Sequence, residues 1–168
     1  MIRPLSIALG LCAGPTQAAN FYFCWLGDNG YSMTGEMTVN ETALNKPIVT
    51  ARDVTQFAIA GFRDGQQIGN WDLATKQAGD TWVLHFDPAT NSFLTGDALP
   101  SGFSQGWNAD GTAEDCGAGR FGFNSGNQAQ DFCLDGVWIE ESGVDPQTTF
   151  LVSPVPVDPQ CRVYVPTS

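Results

Sequence analysis

The chain has 168 residues, and its 18 acidic side chains outnumber its 7 lysines and arginines, so the formal net charge is −11. The basic residues are scattered singly, whereas nucleic-acid backbones are recognised by clustered lysines and arginines. Charge therefore excludes nucleic acid as a partner and disfavours an anionic membrane surface.

Residues 1–19 have the features of a secretory signal peptide. Arg3 precedes an apolar run over residues 5–14, and the small residues Ala18 and Ala19 stand at the expected cleavage site. The apolar run is too short to cross a bilayer, and no later stretch approaches the roughly twenty residues that a span needs. We therefore expect a secreted or periplasmic protein without a membrane span, in which residues 20–168 form a single domain.

The rest of the chain alternates apolar and polar residues and lacks helical periodicity, which predicts an all-β fold. Phe21, Phe23 and Trp25 share one face of a first strand. Residues 27–30 are a Gly-Asp-Asn-Gly turn, and residues 31–39 continue as a second strand. These features predict a β-hairpin at the start of the domain.

A second hairpin is predicted from residues 54–61 and 67–73, because Asp64 and Gly65 form a turn between them. Residues 81–86 predict one further strand, which the following Asp-Pro pair ends. Two hairpins in succession favour a meander of antiparallel strands.

The composition changes from residue 100 to about residue 130, where Gly, Ser, Asn and Asp surround isolated aromatics and no period survives. This pattern predicts a long, partly irregular loop region. Strand character resumes over residues 132–140. Prolines interrupt residues 148–165, which predicts an edge strand or an extended crossing before a final strand.

Four cysteines, Cys24, Cys116, Cys133 and Cys161, remain after the predicted signal peptide. An even number of cysteines in an oxidising compartment predicts disulfides, and three pairings are open. We favour Cys116 with Cys133, which would close the irregular loop, and Cys24 with Cys161, which would tie the first strand to the last. A zinc site would need closely spaced ligand pairs, which this spacing lacks.

Two short motifs match catalytic or cofactor-binding patterns in the wrong context. Ser104 lies in a Gly-x-Ser-x-Gly motif, but the single histidine, His85, precedes it and both lie in a β-rich chain without helices. Residues 117–122 match Gly-x-Gly-x-x-Gly, but no strand–loop–helix unit surrounds them. Neither motif predicts an activity here.

Paired carboxylates offer an enzymatic alternative. Secreted β-sandwich glycosidases need two carboxylates facing each other across a sheet. Glu36 in the second predicted strand and Glu140 at the end of the Val-Trp-Ile-Glu run are the candidate catalytic residues, and each has an aromatic residue nearby in the sequence. This alternative predicts a carbohydrate-active hydrolase.

Acidic positions between residues 108 and 115 suggest calcium as the one candidate cofactor. Asp110, Glu114 and Asp115 supply carboxylate oxygens of the kind that Ca²⁺ takes as ligands. The segment does not match the EF-hand pattern, and Asp110 with Gly111 also forms an ordinary turn signal. No other cofactor is predicted.

The aromatic loop over residues 103–115 is the candidate binding site. Trp107 lies in a polar context with Phe103 before it and Asn108 and Asp110 after it, and an exposed loop aromatic is a common platform for a sugar or a protein partner. The structural alternative is that Trp107 folds under the loop as a plug.

The sequence therefore predicts an antiparallel, jelly-roll-like β-sandwich with two disulfides, with a β-barrel as the alternative architecture. The predicted function is a non-enzymatic extracytoplasmic domain that binds a glycan or an extracellular protein through this loop. The alternatives are the hydrolase and a cell-surface structural protein without a small ligand.

Overall fold

A computed structural model of the chain describes residues 17–96, 98, 103–111, 116–158 and 160–162. Most of the predicted signal peptide lies outside the described residues. Three 3-10 turns span Glu41–Asn45, Ala51–Asp53 and Leu73–Thr75. The strands are Ala18–Leu26 (β1), Tyr31–Asn40 (β2), Val49–Thr50 (β3), Val54–Arg63 (β4), Gln66–Asp72 (β5), Trp82–Val83 (β6), His85–Asp87 (β7), Ser92–Phe93 (β8), Phe103–Trp107 (β9), Phe121–Gly126 (β10), Gln130–Leu134 (β11), Val137–Val144 (β12) and Phe150–Ser153 (β13).

The strands form two antiparallel sheets that pack face to face. The larger sheet has eight strands in the order β3-β7-β8-β13-β1-β2-β4-β5, and the smaller has five in the order β12-β11-β10-β9-β6. Each order ends in an edge strand, so neither sheet closes on itself among the described residues. The predicted β-sandwich is confirmed.

Aromatic side chains from both sheets fill the space between them. Phe23 on β1 is fully buried and contacts Trp107 on β9, with 5.5 Å between the ring centroids. Trp107 also packs against Phe57, Phe93 and Phe123 at ring distances of 4.7 to 5.1 Å. Offset and edge-on ring pairs of this kind add to the stabilisation from burial.

Both predicted hairpins are present and form one meander, β1-β2-β4-β5. Asn29 and Gly30 have positive φ in the first turn, as do Asp64 and Gly65 in the second, which is the conformation that tight hairpin turns require. Glycine also matters where the sheets meet: a Cβ at Gly69 on β5 would stand 2.7 Å from Phe121 on β10, so the small residue makes room for the ring.

The strand predicted over residues 81–86 is in fact divided between the two sheets. β6 pairs with β9 in the smaller sheet, and β7 pairs with β3 and β8 in the larger one, with buried Leu84 between them. The Gln105 side chain bridges the break, because its Nε2 donates to His85 O and Leu94 O while its Oε1 accepts from His85 N. A buried side chain here satisfies backbone groups that a continuous ladder would have paired.

The prediction of a partly irregular loop over residues 100–130 is wrong in large part, because the segment contributes β9 and β10, two of the three interior strands of the smaller sheet. All six residues of β10 are buried. Its glycines prevented the pattern from being recognised: after β9, the chain folds back over the outer face of β10, and the Asn108 carbonyl oxygen occupies the position that a Cβ of Gly122 would need. We call residues 108–111 the fold-back segment.

The edge strand predicted after residue 148 also differs from the prediction. β13 lies between β8 and β1, so it is an interior strand and not an edge. Its prolines follow it rather than interrupt it, since the strand ends at Ser153. Most of the last predicted strand lies outside the described residues.

Both favoured disulfides are confirmed. Cys24 pairs with Cys161 and Cys116 pairs with Cys133, and persistent disulfides are typical of proteins in oxidising compartments. Within the part of the chain that the structure describes, no helix has the length and apolarity needed to cross a membrane.

Candidate functional site

A polar groove runs over the outer face of the eight-stranded sheet, across β1, β2, β4 and β5. It consists of two adjoining depressions of about 460 and 490 Å³. The depressions share Tyr22, Glu36, Ala58 and Asp72, which are cross-strand neighbours in a single row. We call this feature the outer groove.

Alternation on β4 explains why a depression forms there. Phe57 and Ile59 point into the core and are buried, so the residues between and after them, Ala58 and Ala60, face outward. Their small side chains lie between the larger side chains of β2 and β5. The trough therefore follows from small outward residues on a strand flanked by longer ones.

The chemistry of the outer groove is polar and acidic. Glu36 and Asp72 stand on either side of Ala58, two strands apart, which puts their backbones roughly 10 Å from each other. No lysine, arginine or histidine lines the described groove. The remaining polar lining offers hydroxyl and amide groups that both donate and accept hydrogen bonds: Asn20, Thr34, Thr38, Thr55, Gln56, Gln67 and Asn70.

The two carboxylates differ in how they are held. Asp72 Oδ1 accepts a hydrogen bond from the backbone N of Ala74 at 2.7 Å, which orients the carboxylate and caps the 3-10 turn that forms one wall of the groove. Glu36 is exposed and extends from the middle of β2. Tyr22, directly opposite Glu36 on β1, supplies the aromatic face.

The proposed catalytic pair Glu36 and Glu140 is not brought together. Glu36 lies in the outer groove of the eight-stranded sheet, whereas Glu140 lies exposed on β12, the edge strand of the other sheet. Glu140 does not line either depression that Glu36 lines. The carboxylate that does share a row with Glu36 is Asp72, which the sequence offered only as one acidic residue among 18.

The expectation of an exposed aromatic platform at Trp107 is wrong, because its indole is fully buried at the centre of the core. The plug alternative describes it correctly. Asn108 is also buried, and its Nδ2 donates to Phe121 O and to Cys116 O, which fixes the fold-back segment to β10. Phe103 begins β9.

The acidic residues proposed for calcium are only partly within the described chain. Asp110 is half-buried in the fold-back segment, and Glu114 and Asp115 lie outside the described residues. No group of three or more His, Cys, Asp or Glu side chains is arranged to hold a metal ion among the described residues.

Ser104 and His85 lie next to each other, but not as a nucleophile and base. The Ser104 hydroxyl is buried and donates to Gly96 O at 3.0 Å. His85 Nδ1 lies 2.8 Å from the Ser104 carbonyl oxygen instead of its hydroxyl. The arrangement is that of a structural contact between neighbouring elements.

One ionisable group has an unusual environment that sequence reasoning missed. Burial raises the pKa of the Asp131 carboxyl to about 6, although a hydrogen bond from Asn124 acts in the opposite direction. The two residues face each other across β10 and β11. A half-buried aspartate on the outward side of β11 has no signature in the sequence pattern.

The outer groove contains the polar residues and the depression expected of a ligand site, yet its only sequence signal is the outward half of ordinary alternating strands. No protein-family model matches the chain, and neither the curated proteins nor the solved structures include one that is detectably similar to it.

Proposed function

We propose that this protein is a non-enzymatic extracytoplasmic domain that binds a neutral glycan in the outer groove. The observation that carries the proposal is the row of Tyr22, Glu36, Ala58 and Asp72, in which an aromatic ring, two carboxylates and a small central residue share one depression. Sugars combine apolar ring faces with hydroxyls that donate and accept, and this lining offers partners for both.

Charge narrows the ligand class. The groove carries carboxylates without a basic side chain in its described lining, and the chain as a whole is strongly acidic. Like charges in such a setting repel an anionic ligand. The proposal therefore concerns uncharged polysaccharides and not sulfated or uronic-acid glycans.

The extracytoplasmic part of the proposal rests on the signal-like segment and the disulfides. Cleavage after Ala19 would remove only the first two residues of β1, Ala18 and Ala19, which pair with the far end of β2. The rest of the β1–β2 hairpin would remain intact. Loss of the signal is thus compatible with the fold of the described residues from Asn20 onward.

A second candidate function, glycoside hydrolysis, is favoured by one observation: Glu36 and Asp72 flank the same depression. Inverting glycosidases place their two carboxyl groups about 6.5 to 9.5 Å apart, and two strand spacings bring the backbones of these residues to a compatible separation. Turnover would then depend on this pair and not on Glu140.

The experiment is a binding measurement on the oxidised protein with a panel of neutral soluble polysaccharides, using calorimetry and affinity electrophoresis. Tyr22→Ala should weaken binding about tenfold or more, because stacking on the ring is lost. Glu36→Gln should weaken it several-fold, and the matched variant Glu140→Gln, on the other sheet, should leave it unchanged. Release of reducing ends is followed in parallel.

Each outcome has a separate meaning. Binding that Tyr22→Ala weakens, without release of sugar, supports the proposal. Turnover that both Glu36→Gln and Asp72→Asn abolish favours the hydrolase. No binding to any glycan overturns the proposal and leaves a protein partner or a structural role without a small ligand.

A further inference from the structure

A polar pair with buried side-chain oxygen atoms, separate from the outer groove, lies on the outer face of the five-stranded sheet. Asn124 on β10 and Asp131 on β11 are directly opposite each other in the antiparallel register. Asn124 is only 7% exposed although its side chain points away from the sandwich core. The fold-back segment supplies the cover: Asn124 Oδ1 lies 3.5 Å from the position that a Cβ of Gly111 would take.

Two oxygen atoms of this pair are left without hydrogen-bond partners. Asn124 Oδ1 and Asp131 Oδ1 are both buried, and neither has a donor among the described residues. Both are acceptors when Asp131 is ionised. Leaving buried acceptors unpaired is costly, and a buried unpaired charge costs more. The pair therefore needs a donor or a positive charge.

A proton fits this need better than a metal ion. Calcium takes six to eight oxygen ligands, whereas the pair supplies two free side-chain oxygens, and no metal-ligating group of three acidic, His or Cys side chains is present in the described chain. A proton on Asp131 removes the buried charge and turns one of the unpaired acceptors into a donor. It needs no further ligand.

We propose that Asp131 is a proton-binding latch: its neutral form holds the fold-back segment against β10, and its ionised form loosens that segment. The ionised carboxylate requires water, and the fold-back segment is the described cover beside its partner Asn124. The segment remains tethered at its first residue, because Asn108 directly follows β9 and its Nδ2 donates to Phe121 O and Cys116 O.

Charged neighbours do not oppose the effect, because burial is the largest cause of the raised Asp131 pKa and no nearby charge lowers it. β10 carries no titratable side chain. The titratable side chains on the flanking elements are Asp110 of the fold-back segment and Glu140 and Glu141 of β12. All three are carboxylates, so any field they exert disfavours ionisation of Asp131, in the same direction as burial. Glu141 is in addition paired with Arg63.

The sign of the pH effect follows from linkage. A carboxyl whose pKa is about 6 in the closed state and 3.8 when exposed favours closure fully below pH 3.8 and loses that contribution as the pH rises through 6. Between about pH 5 and pH 7.5, these two values make opening roughly tenfold more favourable. The fold-back segment should therefore be more open at neutral pH.

Hydrogen exchange measured by mass spectrometry at about pH 5 and pH 7.5, corrected for intrinsic rates, tests the proposal. Protection of the peptide containing residues 108–111 should fall about tenfold between the two conditions. Asp131→Asn should remove this difference, whereas Glu140→Gln, an exposed carboxylate on the neighbouring strand, should preserve it. Equal wild-type protection at both pH values would overturn the latch.

A second measurement keeps the proposal falsifiable should Asp131→Asn fail to fold. The side-chain carboxyl carbon of Asp131 in the wild-type protein, followed by NMR, should titrate with a midpoint near 6. A midpoint in the ordinary aspartate range, below about 4.5, would contradict the proposal. So would protection that depends on millimolar calcium and not on pH, since that result identifies a cation site.

Discussion

The outer faces of the two sheets are built in opposite ways. On the eight-stranded sheet, long polar side chains surround small ones on β4, and the face stays open as a groove. On the five-stranded sheet, Gly122 on β10 lets the chain lie directly on the strand, and the fold-back segment covers that face there. Small residues thus produce a depression where nothing covers them and a second layer where the chain returns.

The two faces also differ in the sequence separation of the contacts that form them. The open face is made by two hairpins whose partners are adjacent in sequence. The closed face depends on a disulfide, on buried side-chain hydrogen bonds and on Trp107, which reaches the core of the whole sandwich. Substitutions around the closed face should therefore affect stability, and substitutions in the open groove should affect binding.

Removal of the disulfides should have the largest effect. The chain-entropy account gives about 5 kcal/mol for the 137-residue separation of Cys24 and Cys161 and about 3 kcal/mol for the 17-residue separation of Cys116 and Cys133. Paired Cys→Ser variants measured by urea unfolding check both values. A greater loss from the shorter loop would show that the closed face depends on native contacts beyond chain entropy.

Truncation of the core indole should come next. Trp107→Ala removes a fully buried side chain that contacts rings from both sheets, and such changes cost about 3 to 5 kcal/mol. Tyr22→Ala, on the open face, should change the free energy of unfolding by less than about 1 kcal/mol. Equal losses in the two variants would contradict the division between a structural and a binding aromatic.

Acid should weaken the ion pair between Asp80 and Arg120, which joins the β5–β6 connection to the smaller sheet. The Arg120 guanidinium beside Asp80 holds the pKa of that carboxyl at about 2. Because this pKa is lowered, the pair contributes stability above pH 3.8 that is lost as the pH falls toward 2. Arg120→Gln should flatten the loss of stability between about pH 4 and pH 2, measured by thermal unfolding. An unchanged acid limb would contradict the assignment.

The Asp80 and Asp131 carboxyls therefore have opposite pH signatures. Asp80 is stabilised as a carboxylate by an adjacent cation, and Asp131 is stabilised as an acid by burial. A single pH profile of unfolding contains both, and the two variants Arg120→Gln and Asp131→Asn separate them.

Groove carboxylates should have the smallest energetic effect. Glu36→Gln keeps the shape of the side chain and should leave the melting temperature unchanged, because Glu36 is exposed. Its effect on glycan affinity should be several-fold, or about 1 kcal/mol. Loss of stability without loss of glycan affinity in Glu36→Gln, with Glu140→Gln as the control, would contradict a role for Glu36 in binding.

Local patterns predicted the open half of the molecule well. Alternation and turn residues located β1, β2, β4 and β5, and cysteine spacing led to the correct disulfides. Of the two carboxylates in the outer groove, the sequence pattern indicated Glu36 but not Asp72, its neighbour in the row. Which residues form a row across three strands depends on the register of strand pairing, and the local sequence pattern did not predict that register.

The closed half was misread for a physical reason. Glycine and asparagine ordinarily mark loops, but Gly122 in β10 leaves the space that the covering segment needs, and Asn108 in that segment pairs with backbone groups. The same covering lies against Asn124, which is buried. No short-range pattern reports that the chain returns over its own sheet.

The central claim is that ligands use the open face, and a hydrogen-exchange footprint with a neutral polysaccharide tests it most directly. Saturating glycan should increase protection in peptides from β1, β2, β4 and β5 and leave residues 103–111 unchanged. Protection confined to residues 103–111, with none in the meander, would contradict the outer groove as the binding site.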